Sequence, residues 1–193
     1  METDPRALAY LDASGWFVSL VTQSADHLAE RQSSEWTLLD LIAHADRAHL
    51  LVGEYLASEA PPLAVGDPYF SPAAVAQRAR SSVVALGHDP VKAIVAHAID
   101  VAKLVQETSM DAPLHSPMGT MTLGDFLPSR TAELVLHGLD LAQLLRIDSE
   151  PPATALRGAL AMVADRTASR GDAVVVLRAL TGRGALPEGF SIY

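Results

Sequence analysis

Residues Thr122–Leu145 read TLGDFLPSRTAELVLHGLDLAQLL, and the reading of this stretch decides the fold. At helical pitch Phe126, Arg130, Glu133, His137, Leu141 and Leu144 fall along one stripe, three or four residues apart. A stripe that faces a core is expected to be apolar throughout. This one turns polar in its middle, where Glu133 and His137 lie one turn apart and point the same way. Desolvating an unpaired carboxylate costs too much for an ordinary core position. A cation, a buried arginine or a metal ion has to compensate. Thr122 and Asp125 stand at capping-box spacing, so the helix is expected to start there. Pro128 soon afterwards predicts a distorted first turn, or a start near Pro128 itself.

A second anomaly of the same kind lies upstream. Thr37-Leu-Leu-Asp40 is a capping box that predicts a helix to about Ser58, with Leu41, His44, Ala48, Leu51 and Tyr55 along one stripe. His44 interrupts that apolar line as Glu133 and His137 interrupt theirs. Before it, Pro5 to about Glu30 reads as a first helix, with Gly15 a candidate irregularity and Ser33-Ser34-Glu35 a polar break. Residues 60–70 and 109–121 read as Pro/Gly loops. Ser71-Pro72 and Asp89-Pro90 each place a cap before proline at the first helical position, predicting helices to about Leu86 and Thr108. A further helix follows Pro151-Pro152 to about Ser169. AVVVLRAL is read as a short helix, and the tail as irregular. No repeat or long linker divides residues 1–193, so one domain is expected. The fold class is all-α, a four-helix bundle with extra short helices.

Composition excludes several function classes. Hydrophobic residues make up 49% of the 193-residue chain and aromatics only 5%, which suits closely packed helices. The formal net charge is −9 and the 14 Lys and Arg are scattered, which argues against nucleic acid or an anionic membrane as partner. No apolar run approaches the roughly 20 residues of a membrane span, and the N-terminus lacks a signal-peptide pattern, so a cytoplasmic location is expected. There is no cysteine. Disulfides, Cys-ligated zinc and a protein thiol nucleophile are therefore excluded, and any thiol chemistry must use a thiol supplied as a small molecule.

His44 on one helix with Glu133 and His137 on another would bring two imidazoles and a carboxylate together in a bundle core. Residues at i and i+4 share a face, a facing helix supplies the third ligand, and three protein ligands leave coordination positions open. From spacing alone, a hydrogen-bonded core histidine at position 44 and a Glu133–Arg130 ion pair remain alternatives. Asp40 is explained by its cap. Asp140 either orients His137 or is an exposed helix residue, and Arg130 either binds an anionic substrate or neutralises Glu133. His49 is expected at a surface or boundary, His97 as a satisfied core residue, and His27, His88 and His115 in solvent. Trp36 is expected to staple the cap, and Met110, Met118 and Met121 to pack at the loop edge.

The segment SEWTLLDLIAHADRAH resembles the W-T-x-x-D-L-x-x-H stretch of the DinB-like metal-binding bundles, in particular the N-terminal domain of mycothiol-dependent maleylpyruvate isomerase. RTAELVLHGLDLAQLL resembles that family's R-x-x-E-x-x-x-H-G-x-D-L-A stretch, about 80 residues later and in the same order, and LRALTGRGALPEGF is similar to its ending. The resemblance implies a four-helix core with a divalent metal, usually zinc, held by His44, Glu133 and His137. It also implies a low-molecular-weight thiol such as mycothiol as cosubstrate. The isomerase has an additional C-terminal α/β domain for which 193 residues leave no room, so the metal site is expected while substrate and reaction stay open.

The expected function is that of a divalent-metal-dependent thiol S-transferase or isomerase acting on a small electrophile. A metal-dependent hydrolase and a non-catalytic metal- or ligand-binding bundle are the alternatives, the latter compatible with a homodimer. No general base is identifiable.

Overall fold

In the computed structural model the described residues are 3–30, 36–64 and 67–192; the Ser33-Ser34-Glu35 break lies outside them. Seven helices are present among these residues: α1 Pro5–Gln23, α2 Leu38–Leu56, α3 Pro72–Leu86, α4 Pro90–Glu107, α5 Leu123–Leu145, α6 Ala153–Ser169 and α7 Ala173–Leu180. A hairpin of β1 Pro113–Ser116 and β2 Gly119–Thr122 precedes α5, and a 3-10 turn at Pro68–Phe70 precedes α3. The class is all-α with one small antiparallel hairpin. No helix among the described residues is long and apolar enough to cross a membrane.

The helix starts follow the local chemistry of the sequence. Thr37 Oγ1 accepts from the Asp40 N–H while the Asp40 carboxylate accepts from the Thr37 N–H, a complete capping box. Asp4, Ser71 and Asp89 cap α1, α3 and α4, each with proline at the first helical position. At α5 only half of the expected box forms. Thr122 Oγ1 accepts from the Asp125 N–H, but an Asp125 carboxylate oxygen lies 3.7 Å from the Arg6 guanidinium of α1. Pro128 neither delays nor breaks α5, which runs unbroken from Leu123. Gly87, at φ 70°, stops α3 in a conformation that side-chain-bearing residues avoid.

Two boundaries differ from expectation. The first helix ends at Gln23, because Ser24 returns its N–H to the carbonyls of Leu20 and Val21. The chain then turns, and the carbonyls of Leu28 and Glu30 accept from Leu39 and Leu38 at the start of α2, where helical partners are missing. Gly15 causes no irregularity. The 109–121 loop contains the hairpin, in register Leu114↔Met121, with Leu114 fully buried on its inner face. Thr122 ends β2 and caps α5, so hairpin and helix form one continuous piece.

The core is a four-helix bundle in which α1 packs against α5 and α4, and α2 packs against the same two. α1 and α2 therefore stand at opposite corners and meet through their side chains across the diagonal. α3 covers α2, and α6 lies over α1 and α5. Tyr10, Phe17, Leu20, Ile42, Ile94, Leu127, Leu134 and Leu141 fill the centre. Trp16 of α1 rests on α5 at Gly138, where an added Cβ would fall inside the tryptophan ring, and its Nε1–H donates to Ser149 Oγ at 2.9 Å.

Gly138→Ala is expected to destabilise the protein by about 1–3 kcal/mol, since forced overpacking exceeds the gain of up to about 1 kcal/mol in helix propensity. Denaturant unfolding of the variant beside wild type measures the balance, and equal or greater stability of the variant would contradict the contact.

Candidate metal centre

α2 and α5 lie side by side, and their polar interruptions meet. His44 Nε2 lies 3.9 Å from Glu133 Oε2, and His137 Nε2 lies 3.3 Å from the same oxygen. One ligand-capable atom from each of the three residues falls within 4.8 Å of the others. The two imidazoles meet edge to face, with centroids 5.0 Å apart. Trp36, just before the cap, sets its ring against His44 in an edge contact, with centroids 5.4 Å apart.

The site sits at the rim of the bundle and not in its centre. The buried face of α5 runs through Leu127, Leu134, Val135, Gly138 and Leu141. The stripe read from the sequence is rotated away from that line. Phe126 and Leu141 are buried, whereas Arg130, Glu133 and His137 are half-buried and Leu144 is exposed. The side chains of His44, His137 and Glu133 keep 22%, 22% and 28% of their surface exposed, so a small molecule can reach them.

Electrostatics set different states for the two histidines. Burial, reinforced by the charge of His137, pushes His44 down to about 4, against the pull of Glu133. For His137 burial works in the same direction but is outweighed by hydrogen bonds to Asp140 and Glu133, which lift it to about 9. Burial likewise pushes Glu133 upward, yet the His137 hydrogen bond and the Arg130 charge hold it below the usual carboxylate range. Near neutral pH the cluster is therefore a neutral His44 beside a His137⁺–Glu133⁻ pair. Asp140 Oδ2 faces His137 Nδ1 at 3.4 Å and leaves Nε2 directed at Glu133.

The donor set suits a divalent cation. Two imidazole nitrogens and one carboxylate oxygen around tetrahedral zinc, at about 2.0–2.2 Å each, would stand about 3.4 Å apart. Separations of 3.3 and 3.9 Å approach that spacing. His44 Nδ1 is buried without any hydrogen-bond partner, so this ring is not held by a core network of its own. Arg130 makes no ion pair with Glu133 within 4.0 Å. Its Nε donates to Ser129 Oγ and its guanidinium lies 4.9 Å from the centre of the Phe126 ring.

Other histidines stand apart from this centre. His27 pairs with Glu30 on the surface, His88 is exposed, and His115 meets Thr120. His97 is half-buried and bonds Asp46 at 2.7 Å. His49 departs most from expectation: its side chain is wholly buried, with Nδ1 2.9 Å from Asp46 and Nε2 3.0 Å from Ser14 Oγ. The Asp-x-x-His spacing of Asp46 and His49, on a helix apolar on several faces, was the signal for this network. Met110 and Met121 pack at the edge of the core and Met118 is exposed.

A family model described as the mycothiol maleylpyruvate isomerase N-terminal domain matches residues 12–142, more than half of the chain and the span that holds all three residues of the centre. No curated protein and no solved structure gives a significant match.

The two histidines give opposite pH dependences to the metal-free protein. The raised His137 contributes stability that is complete below about pH 6.5 and is lost as pH rises through about 9. The lowered His44 contributes stability that is complete above about pH 6.5 and is lost as pH falls toward about 4, where protonation of Glu133 adds to the loss. Each limb is on the order of 1–3 kcal/mol. Melting temperature against pH in chelator should therefore peak near neutrality. His137→Gln should flatten the alkaline limb and, by removing the charge that helps depress His44 and Glu133, also shrink the acid limb.

Proposed function

This chain belongs to the mycothiol maleylpyruvate isomerase N-terminal domain family, and from that premise we propose a metal-dependent thiol chemistry for it. His44, Glu133 and His137 hold a divalent cation, zinc foremost, and the protein works as an S-transferase or isomerase that applies a mycothiol-type thiol to a small electrophile. The single observation that carries this reading is the convergence of three ligand-capable atoms from two helices at a solvent-accessible rim. A cation bound there would favour the thiolate form of a coordinated thiol, the nucleophilic form.

The protein's own side chains have separable tasks in this reading. Glu133 is ionised and supplies the negative charge of the donor set. His44 is already neutral, so its Nε2 lone pair is available, whereas His137 must release the proton it carries near neutral pH before Nε2 can donate. Asp140 accepts from Nδ1–H and keeps that ring turned inward. Arg130 lies one turn before Glu133 and has no ion-pair partner among the described residues, which supports a role for it in this reading as the group that binds an anionic part of the electrophile. The chain has no cysteine, so the sulfur comes from the cosubstrate. Addition of the thiolate to an electrophilic carbon forms a C–S bond. Loss of a leaving group with its electron pair completes transfer. Rotation about a former double bond, followed by departure of the thiolate, completes isomerisation.

Elemental analysis of purified protein should find close to one equivalent of divalent metal in wild type and far less in His44→Ala and His137→Ala, with helical content retained. Wild type free of metal after reconstitution would overturn the reading. Consumption of an electrophile should require both metal and added thiol, and Arg130→Ala should raise KM for anionic electrophiles about tenfold or more while sparing neutral ones. Ester cleavage without thiol would instead favour a hydrolase.

A further inference from the structure

The Ser14–His49–Asp46–His97 network takes no part in the chemistry above, and each of its four side chains is hydrogen-bonded within it. Asp46, on α2 two residues after His44, is 1% exposed. Its two oxygens accept from His49 Nδ1 at 2.9 Å and from His97 Nδ1 of α4 at 2.7 Å. His49 Nε2 in turn lies within hydrogen-bond distance of Ser14 Oγ of α1, at 3.0 Å. Tyr10 and Phe17, one turn on either side of Ser14, pack their rings against His49 with centroids 6.5 and 6.2 Å away. Tyr10 also donates to the Ala48 carbonyl at 3.0 Å. The order serine, histidine, aspartate matches a nucleophile relay, but Ser14 is 4% exposed and His49 is enclosed, so no substrate reaches the hydroxyl.

We propose that this network is a positioning device for the metal centre: it fixes the rotation of α2 about its own axis and so holds His44 opposite Glu133 and His137. The inference rests on the reading of those three residues as metal ligands. Glu133 and His137 share a helix, and their spacing follows from helical geometry. His44 alone depends on how α2 sits. Atoms about 6 Å from a helix axis move about 1 Å for each 10° of rotation, and ligand sets tolerate about half that displacement. Ser14 and His97 grip α2 from α1 and α4, on faces turned away from α5, and oppose such rotation. α1 also fixes the other ligand helix, through Trp16 on Gly138 beside His137. One helix that carries no ligand thus references both that do.

His97 is partly exposed, so its replacement should leave the fold intact, and Ser14→Ala provides a second, smaller variant. His97→Ala and Ser14→Ala are expected to weaken zinc affinity about tenfold in chelator competition and to alter the cobalt(II) absorption spectrum. His97→Asn, which can still donate to Asp46, should restore both. Because the chain has no cysteine, spin labels at Glu54→Cys on α2 and Gln143→Cys on α5 report helix placement without metal. Their distance distribution should broaden in the two disrupting variants and recover in His97→Asn. Unchanged zinc affinity and an unchanged distance distribution, with only a lower melting temperature, would overturn the proposal. If wild type takes up no zinc, the reading of function fails, and the metal-free distances decide positioning: broadening upholds it and no change overturns it.

Discussion

The seat of Trp16 on the bare backbone at Gly138 is the contact on which the arrangement of this bundle depends. Interhelical distance is set by the side chains at the crossing, and pairing the largest residue with the smallest lets a broad ring fill the gap without forcing the axes apart. His137 immediately precedes that glycine, so its distance from the core is set by the same contact. The hydrogen bond from the indole to Ser149 ties down the connection between α5 and α6. From the same helix Tyr10, Ser14 and Phe17 enclose His49 across the diagonal. The bundle is organised around α1, whereas the candidate metal ligands belong to α2 and α5.

Two clusters of the same composition stand in this protein, and distance separates their fates. Each has two histidines and one carboxylate. Around Asp46 the bonds are 2.7–3.0 Å long, the acceptor oxygens are both used, and Asp46, His49 and Ser14 are buried while His97 keeps one edge in solvent. Such a cluster is satisfied, and opening it would cost what any buried unpaired polar group costs. Around Glu133 the separations widen to 3.3 and 3.9 Å, a ring nitrogen of His44 has no partner, and solvent reaches all three side chains. That cluster keeps unused bonding capacity. The first is closed among its own groups, and the second is open to a further partner.

Much of this could be read from the sequence, for identifiable reasons. Caps and prolines act over three or four residues, so the starts of α2, α3 and α4 followed from local chemistry alone. Glu133 and His137 had to share a face because both lie on one helix, and the polar breaks in two apolar stripes paired α2 with α5. What failed needed knowledge of neighbours. His49 was assigned to a surface or boundary because α2 was judged by one stripe, whereas α3, α4 and α5 all pack on it and α1 reaches it across the core. The rim position of the centre depends on the exact rotation of α5, which a stripe of 3.6 periodicity does not determine to within one residue. The hairpin was hidden because Pro113, Pro117 and Gly119 make 109–121 read as a loop, whereas the alternating burial of Pro113–Ser116 reveals a strand.

The split of the centre into two residues on one helix and one on another has a thermodynamic consequence. Glu133 and His137 form a chelating pair whose geometry needs only a single turn of helix, and nascent helix survives in unfolded chains. An ion that such a pair retains after unfolding stabilises the native state less than its native affinity implies, since only the difference in affinity between the two ensembles counts. If the proposed cation is bound, the effective linkage between ion and fold resides in His44, the donor contributed by long-range structure. Chain collapse and ion capture would then be coupled through that one imidazole, and the helix that bears it would determine how much of the ion's binding free energy becomes cooperativity of folding.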